Sequence, residues 1–441
     1  MKRLLSLLLC AVLALFCATT AQAAGVSITL TASEYALHYA FDAGEQDPFV
    51  ILEYTTPAEK GWMMLYSEDG HFEGDVSLAY SGAGGKTSVA LISARTTGSI
   101  GKASTTLPKA ADYQKPTGKS NAKVTDFVLT ETPEGFHYAF NAIGTDYMLL
   151  YWRSKEQTVT QPVYPDENGH YEGDVVSELT FARTQFTVQV KSGSGSMKKE
   201  ATVRKGYQAP EAPQRQEGRL SGVTVCIDAG HQENGRFVNE PIGPGLTGST
   251  SGKGGMAQGT KTNRRESIVC LEIGMLLRDE LLRQGANVIM TREDQTTFHT
   301  NIERCEIAEA GGAQIMLRLH CNNSSNRSKR GIQVYGPLNS DYAKAVADAD
   351  TYREMGQKLL DAMKTRVGMT LANSTGMVRL NDNYVGNNWA KMMCFLVEMG
   401  YLSNPAEEYL LVTPVYQQWL AEGMADGVYE IAVARGWVQA Q

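Results

Sequence analysis

A chain of 441 residues with 42% hydrophobic and 20% charged residues has the composition of folded protein, which excludes wholesale disorder, and leaves room for roughly three domains. Its formal net charge of -7 lacks the basic footprint of a nucleic-acid binder, so no nucleic-acid partner is expected. The first residues divide into a charged start (Lys2, Arg3), an apolar run from Leu4 to Phe16, and the small-residue site Ala21-Gln22-Ala23. That three-part pattern predicts a secretory signal peptide over residues 1–23, and a product that is extracellular or associated with the cell wall. No later stretch is long and apolar enough for a transmembrane helix, so no stable membrane anchor is expected once the signal is removed.

The next region contains a duplication. Leu37-His38-Tyr39-Ala40-Phe41 recurs as Phe136-His137-Tyr138-Ala139-Phe140, and Gly70-His71-Phe72-Glu73-Gly74-Asp75-Val76 recurs as Gly169-His170-Tyr171-Glu172-Gly173-Asp174-Val175, both at an offset of 99 residues. Short alternating segments (Ser27 to Leu30, Ala36 to Phe41, Val50 to Tyr54, Thr87 to Ile92 and their counterparts) read as strands punctuated by Gly, Asp, Asn and Ser. Two all-β modules of immunoglobulin or fibronectin type are therefore expected, over residues 24–116 and 120–207. His71 and His170 are read as surface or packing histidines. Trp62, Tyr66, Tyr151 and Trp152 suit either sugar stacking or a core.

A Pro-containing polar linker covers residues 208–220, and an α/β pattern fills residues 221–441. Val223 to Ile227, Asn287 to Thr291, Ile315 to Leu319 and Phe395 to Val397 read as strands. Helices are expected over Glu266 to Arg283, after the capping box Thr300-x-x-Glu303, over Tyr352 to Val367, and at Asn404-Pro405 and Thr413-Pro414. Of the seven cysteines, Cys10 and Cys17 lie in the signal segment. The other five (Cys226, Cys270, Cys305, Cys321 and Cys394) are odd in number and lack CxxC spacing, which favours buried free thiols over a disulfide framework.

Three polar residues follow apolar strands: His231, His320 and Glu398. A fourth, Glu266, opens a long helix. In an open α/β sheet, ligand sites gather outside the carboxyl ends of the strands, so these side chains are expected to converge. Two His and one Glu form a zinc set with a coordination position left for water. His231, Glu266 and His320 are the candidate Zn2+ ligands and Glu398 the candidate general acid/base. Arg292, Arg304 and Arg318 suit structural ion pairs, with binding of a peptide carboxylate as the other reading. Glu272 and Glu280 are placed on the helix surface, and His299 is placed in solvent before a helix cap.

This half also resembles the zinc-dependent N-acetylmuramoyl-L-alanine amidases of bacterial cell-wall lysis. The matching stretches, in family order, are Ile227-Asp228-Ala229-Gly230-His231, Arg265-Glu266-Ser267, Thr291-Arg292-Glu293-Asp294, Leu319-His320-Cys321-Asn322 and Leu396-Val397-Glu398-Met399-Gly400-Tyr401-Leu402-Ser403-Asn404-Pro405. The resemblance implies a twisted sheet flanked by helices. It assigns His231, Glu266 and His320 to zinc and makes Glu398 catalytic. It makes peptidoglycan the partner, cut at the amide between N-acetylmuramic acid and L-alanine. Ala229 stands where the family usually has Pro, and Gln232 where it often has Gly; neither position supplies a metal-binding atom. Two other readings use the same residues: a secreted zinc peptidase acting on the stem peptide, and a wall-binding protein with an inactive hydrolase domain.

Overall fold

A computed structural model describes residues 19–21, 25–44, 47–94, 98–111, 113, 122–132, 135–145, 147–154, 157–176, 185–192, 195–204, 210–232, 238–250, 255–262, 264–367 and 377–440. Apart from residues 19–21, the segment expected to be a signal peptide lies outside them, as do residues 208–209 of the expected linker and residues 233–237, 251–254 and 263. The chain divides into two compact units between residues 206 and 207.

The first unit is all strand. Strand β1 (Thr19–Ala21) precedes the first copy of the duplication, which holds β2 (Ile28–Ala32), β3 (Ala36–Asp42), β4 (Phe49–Thr55), β5 (Glu59–Tyr66), β6 (His71–Ser77), β7 (Gly85–Ser93) and β8 (Ser99–Leu107). The second holds β9 (Lys123–Thr132), β10 (Gly135–Ile143), β11 (Met148–Arg153), β12 (Gln157–Val163), β13 (His170–Val176), β14 (Gln185–Lys191) and β15 (Met197–Arg204). Each copy has a small sheet of its own, β1-β2-β3-β6 in one and β13-β10-β9 in the other. The remaining strands form one eight-stranded sheet, β15-β14-β11-β12-β5-β4-β7-β8, that runs through both copies. Antiparallel pairing of β5 with β12 joins the halves, with Val159 opposite Glu59. Alternating residues of facing strands build a separate core in each copy, around Tyr39, Phe41, Leu52 and Leu91 in the first and Phe136, Phe140, Trp152 and Phe186 in the second.

The repeated motifs turn out to be cross-strand neighbours. Tyr39 pairs with Gly74 and Tyr138 with Gly173. A Cβ on Gly74 would lie 2.8 Å from the Tyr39 hydroxyl, and one on Gly173 would lie 2.7 Å from that of Tyr138, so each tyrosine needs the glycine. Phe41 stacks on Phe72 at 4.9 Å and Phe140 on Tyr171 at 4.6 Å. His71 Nδ1 lies 2.7 Å from Asp42 and His170 Nδ1 lies 2.8 Å from Asn141, the surface pairing expected of them. Trp152 is fully buried, which assigns it to the core and not to sugar stacking.

The second unit holds β16 (Thr224–Ala229), α1 (Glu266–Arg283), β17 (Asn287–Met290), α2 (Asn301–Ala310), β18 (Ile315–Asn322), β19 (Gln333–Gly336), α3 (Asp341–Val346), α4 (Ala349–Val367), β20 (Met377–Leu380), α5 (Val385–Trp389), β21 (Met393–Tyr401), α6 (Glu407–Leu410) and α7 (Pro414–Ala434). The sheet order is β17-β16-β18-β21-β19-β20. The first four of these strands are mutually parallel, and β19 runs antiparallel to β21. On one face, Cys305 and Ala308 of α2 pack with Cys226, Met316 and Cys394. On the other, Gly274 of α1 sits against Ile227, Ala229 and Leu319. All five described cysteines are free and buried, as expected.

The Thr300 capping box is present, and Thr413 stands at the N-cap position of α7 with Pro414 in the first turn, its hydroxyl donating to the Tyr409 carbonyl. The Asn404-Pro405 start is displaced: α6 begins at Glu407, because the Asn404 side chain accepts from the backbone N–H groups of Ala406 and Glu407 and forms a turn first. Glu272 and Glu280 are not surface residues. Helix α7 packs on α1 and covers that face, where Gln417 and Arg264 bond Glu272 while Gln284 and Arg283 engage Glu280.

Candidate metal and catalytic centre

The parallel register of the sheet brings the strand-end residues together. Gly230 donates its N–H to the Leu319 carbonyl at 2.9 Å, and His320 lies directly opposite Glu398 across β18 and β21. His231 follows two residues beyond β16 with φ 57°, in the left-handed region that costs most residues about 1–2 kcal/mol. That turn is held by two arginines. Arg292 donates to the carbonyls of Ala229 (2.7 Å), Gly230 (2.8 Å) and Ser267 (2.7 Å), and Arg304 donates to those of Ala229 (3.0 Å) and His231 (3.3 Å). Under the turn, the fully buried Asp228 carboxylate takes Arg304 at 2.5 Å, Arg318 at 2.9 Å and the Thr291 hydroxyl at 2.8 Å. These arginines therefore hold the backbone that presents His231, in line with their structural reading. Burial acts to raise the Asp228 carboxyl, but Arg304 and Arg318 outweigh it and hold it well below the ordinary range.

Glu266 stands at the first position of α1, where the helix dipole favours a carboxylate. Its Oε2 accepts from the Ala257 N–H at 2.7 Å. Its Oε1 faces His231 Nε2 at 3.0 Å and His320 Nδ1 at 3.0 Å. Tetrahedral zinc with bonds of about 2.0–2.1 Å separates its ligand atoms by roughly 3.3 Å, close to this spacing. One ligand atom from each of the three residues lies within 4.8 Å of the others, so the set can hold a metal ion. Burial tends to raise Glu266, yet the two imidazoles outweigh it and hold the carboxyl below its usual range. Burial, with His231 assisting, pushes the His320 imidazole down, which favours the neutral, metal-binding form. His320 Nε2 and Glu398 Oε2 are both buried with no hydrogen-bond partner among the described residues, unlike most buried polar atoms. Burial, and after it the charge of Glu266, push the Glu398 carboxyl up to about 8.

The four side chains line one cleft of about 980 Å³, and the half-buried His299, just before the Thr300 cap, lines it too. Two residues that shape the centre had no sequence signal of their own. Glu240 is buried and anchors the 238–250 segment to the start of α2, accepting from Ile302 N–H at 2.8 Å. Gln333 sits opposite Glu398 on the antiparallel strand β19, which was not expected. Gly230 is needed for a steric reason: a Cβ there would lie 2.6 Å from His320 Cε1 and 2.5 Å from the Leu319 carbonyl oxygen. Gly230→Ala is expected to displace the His320 ring and weaken metal binding at least tenfold, measured by competition with a chromogenic chelator.

The α/β sheet carries a His/Glu/His cluster and a buried second carboxyl at its strand ends, and residues 225–430 match the N-acetylmuramoyl-L-alanine amidase family. That match spans most of the C-terminal domain and just under half of the chain. The chain is 26% identical over 231 residues to the germination-specific N-acetylmuramoyl-L-alanine amidase of Bacillus subtilis (strain 168), a match covering 49% of this chain and 83% of that one. It is 27% identical over 218 residues to the probable cell wall amidase LytH of Staphylococcus aureus, covering 48% of this chain and 60% of that one. Among solved structures, the N-acetylmuramoyl-L-alanine amidase from Clostridium difficile 630 matches 48% of this chain and 96% of its own at 23% identity, with a TM-score of 0.38. No helix among the described residues is long and apolar enough to cross a membrane.

Proposed function

We propose that this chain is a secreted peptidoglycan hydrolase that cuts the amide bond between N-acetylmuramic acid and the L-alanine of the stem peptide, with His231, Glu266 and His320 holding zinc and Glu398 as general acid/base. The observation that carries the reading is the convergence of one carboxylate oxygen and two imidazoles beside a second, raised carboxyl in a single cleft. Zinc held there polarises a carbonyl oxygen and makes water nucleophilic near neutral pH. Glu266, fixed by the Ala257 N–H, keeps Oε1 aimed at both imidazoles. Glu398 takes the proton of the attacking water on its carboxylate and delivers it to the departing amide nitrogen, so the amine leaves neutral. The Arg292–Arg304 clamp keeps His231 in place.

The same reading divides the chain into a signal peptide (1–23), two immunoglobulin- or fibronectin-type modules (24–116 and 120–207), a linker (208–220) and the catalytic domain (221–441). The modules place the enzyme at the wall. A digest of purified sacculi tests the reaction: intact glycan with released peptides that begin with L-alanine is expected, and a chelator should stop the release. Products cut within the stem peptide would instead identify a stem peptidase. Zinc added to the metal-free protein should also raise its melting temperature, since a ligand present at 1,000 times its Kd stabilises the folded state by about 4.1 kcal/mol.

A further inference from the structure

Two adjacent carboxylates on the short helix α6, Glu407 and Glu408, spend all their oxygens on three chain segments: the 260–262 turn before Glu266, Tyr401 beyond Glu398, and Gly331 before β19. Glu408 is fully buried. It accepts from Thr260 Oγ1 (2.9 Å), Lys261 N–H (2.9 and 3.2 Å), Thr262 N–H (3.2 Å) and Thr262 Oγ1 (3.3 Å). That turn closes a small hairpin: Gly259 N–H bonds the Arg264 carbonyl at 2.9 Å and Glu266 N–H bonds the Ala257 carbonyl at 2.9 Å. The hairpin therefore presents the Ala257 N–H that fixes Glu266 Oε2. Gly259 lies so close to the clamp that a Cβ there would come within 2.5 Å of Glu408 Oε2. Glu407 acts on the other side. Its Oε2 takes the Tyr401 N–H at 2.8 Å, three residues past Glu398 on β21, and its Oε1 takes the Gly331 N–H at 2.8 Å, just before Gln333.

We infer that Glu407 and Glu408 are positioning residues with separate charges: Glu408 sets Glu266 for metal binding and Glu407 sets Glu398 for proton transfer. The inference rests on the proposed metal and proton roles. Each Glu407 oxygen receives one backbone N–H, so an amide there sets a donor against a donor, whereas in Glu408→Gln the amide NH2 removes the charge and forces a hydroxyl to turn round and accept, which weakens the clamp on the 260–262 turn. Each loss should then appear in the property that its own segment controls.

The test uses the full chain, stripped of metal, with zinc affinity read by competition against a chromogenic chelator and kcat and KM read on a soluble muropeptide. Glu408→Gln is expected to weaken zinc binding about 10–100-fold, the range for groups that orient a ligand, with kcat at saturating zinc within about threefold of the parent. Glu407→Gln is expected to leave zinc affinity within about threefold and lower kcat about tenfold with KM unchanged. Thr260→Val removes one donor from Glu408 while keeping its charge, and should give a milder loss of zinc affinity alone. This variant carries the test should either amide variant fail to fold. Equal movement of both readouts in both variants, or parent-like zinc binding by Glu408→Gln and Thr260→Val, would overturn the inference. Absence of zinc binding by the parent chain would overturn it together with the proposed function, and that result is read from the parent alone.

Discussion

Glu398→Gln is expected to lower turnover by about 10²–10⁴-fold while zinc content stays at the parent level. The carboxyl sits opposite His320 in the sheet, buried on one oxygen and without a partner there, and burial together with Glu266 raises it to about 8. A group in that range both accepts and releases a proton near neutral pH, and an amide does neither. The substitution keeps shape and removes no proposed ligand, so metal content measured beside muropeptide release separates proton transfer from metal loss. Persistent cleavage would show that another group moves the proton. The raised carboxyl also predicts a pH signature in the metal-free protein. Its folded pKa lies above the unfolded value of about 4.3, so the folded state holds the proton longer and the parent loses stability as pH rises from about 4 towards 8. The Gln variant lacks this loss, and its stability advantage should grow across that window and level off above it, as followed by denaturant titration.

The second large effect is structural. Asp228→Ala is expected to destabilise the catalytic domain by about 3–5 kcal/mol, because it leaves the buried guanidiniums of Arg304 and Arg318 without their counter-charge. Removing one partner of a buried ion pair costs far more than the pair contributes relative to an apolar replacement. Both arginines also reach beyond Asp228, Arg304 to the His231 turn and Arg318 to Asn301 at 2.6 Å. Disorder should therefore spread to the metal site. Because the arginines hold the folded Asp228 below its unfolded pKa of about 3.9, its contribution is present above that pH and is lost as pH falls below it. The gap in stability between parent and variant should shrink on acidification below about pH 4. A gap that stays constant would mean that the ion pair is not what Asp228 contributes.

Much of this was legible in the chain because local chemistry and the fold agree. The Thr300-x-x-Glu303 pattern gave the start of α2, and apolar runs ending in a polar residue gave β16, β18 and β21. Parallel register then carries His231, His320 and Glu398 to one edge. What stayed hidden depends on partners distant in sequence. The face of α1 that holds Glu272 and Glu280 reads as solvent-exposed until α7 is laid over it. Gln333–Gly336 is four residues long and antiparallel, too short to show a period. Nothing in the sequence singles out Glu240, Glu407 or Glu408, because only the folded chain shows the backbone N–H groups from which they accept.

The β5–β12 junction bears on why the first unit is a tandem. Strands at the rim of a sheet offer unused backbone donors and acceptors, and other chains can add to them. Here each repeat covers the other's rim, with residues 157–159 laid against 59–61. A single repeat expressed alone would bare that edge and invite stacking into aggregates, so duplication acts as mutual insulation. It also removes the swivel that a bead-on-string pair would have, so the two repeats stand at one fixed spacing.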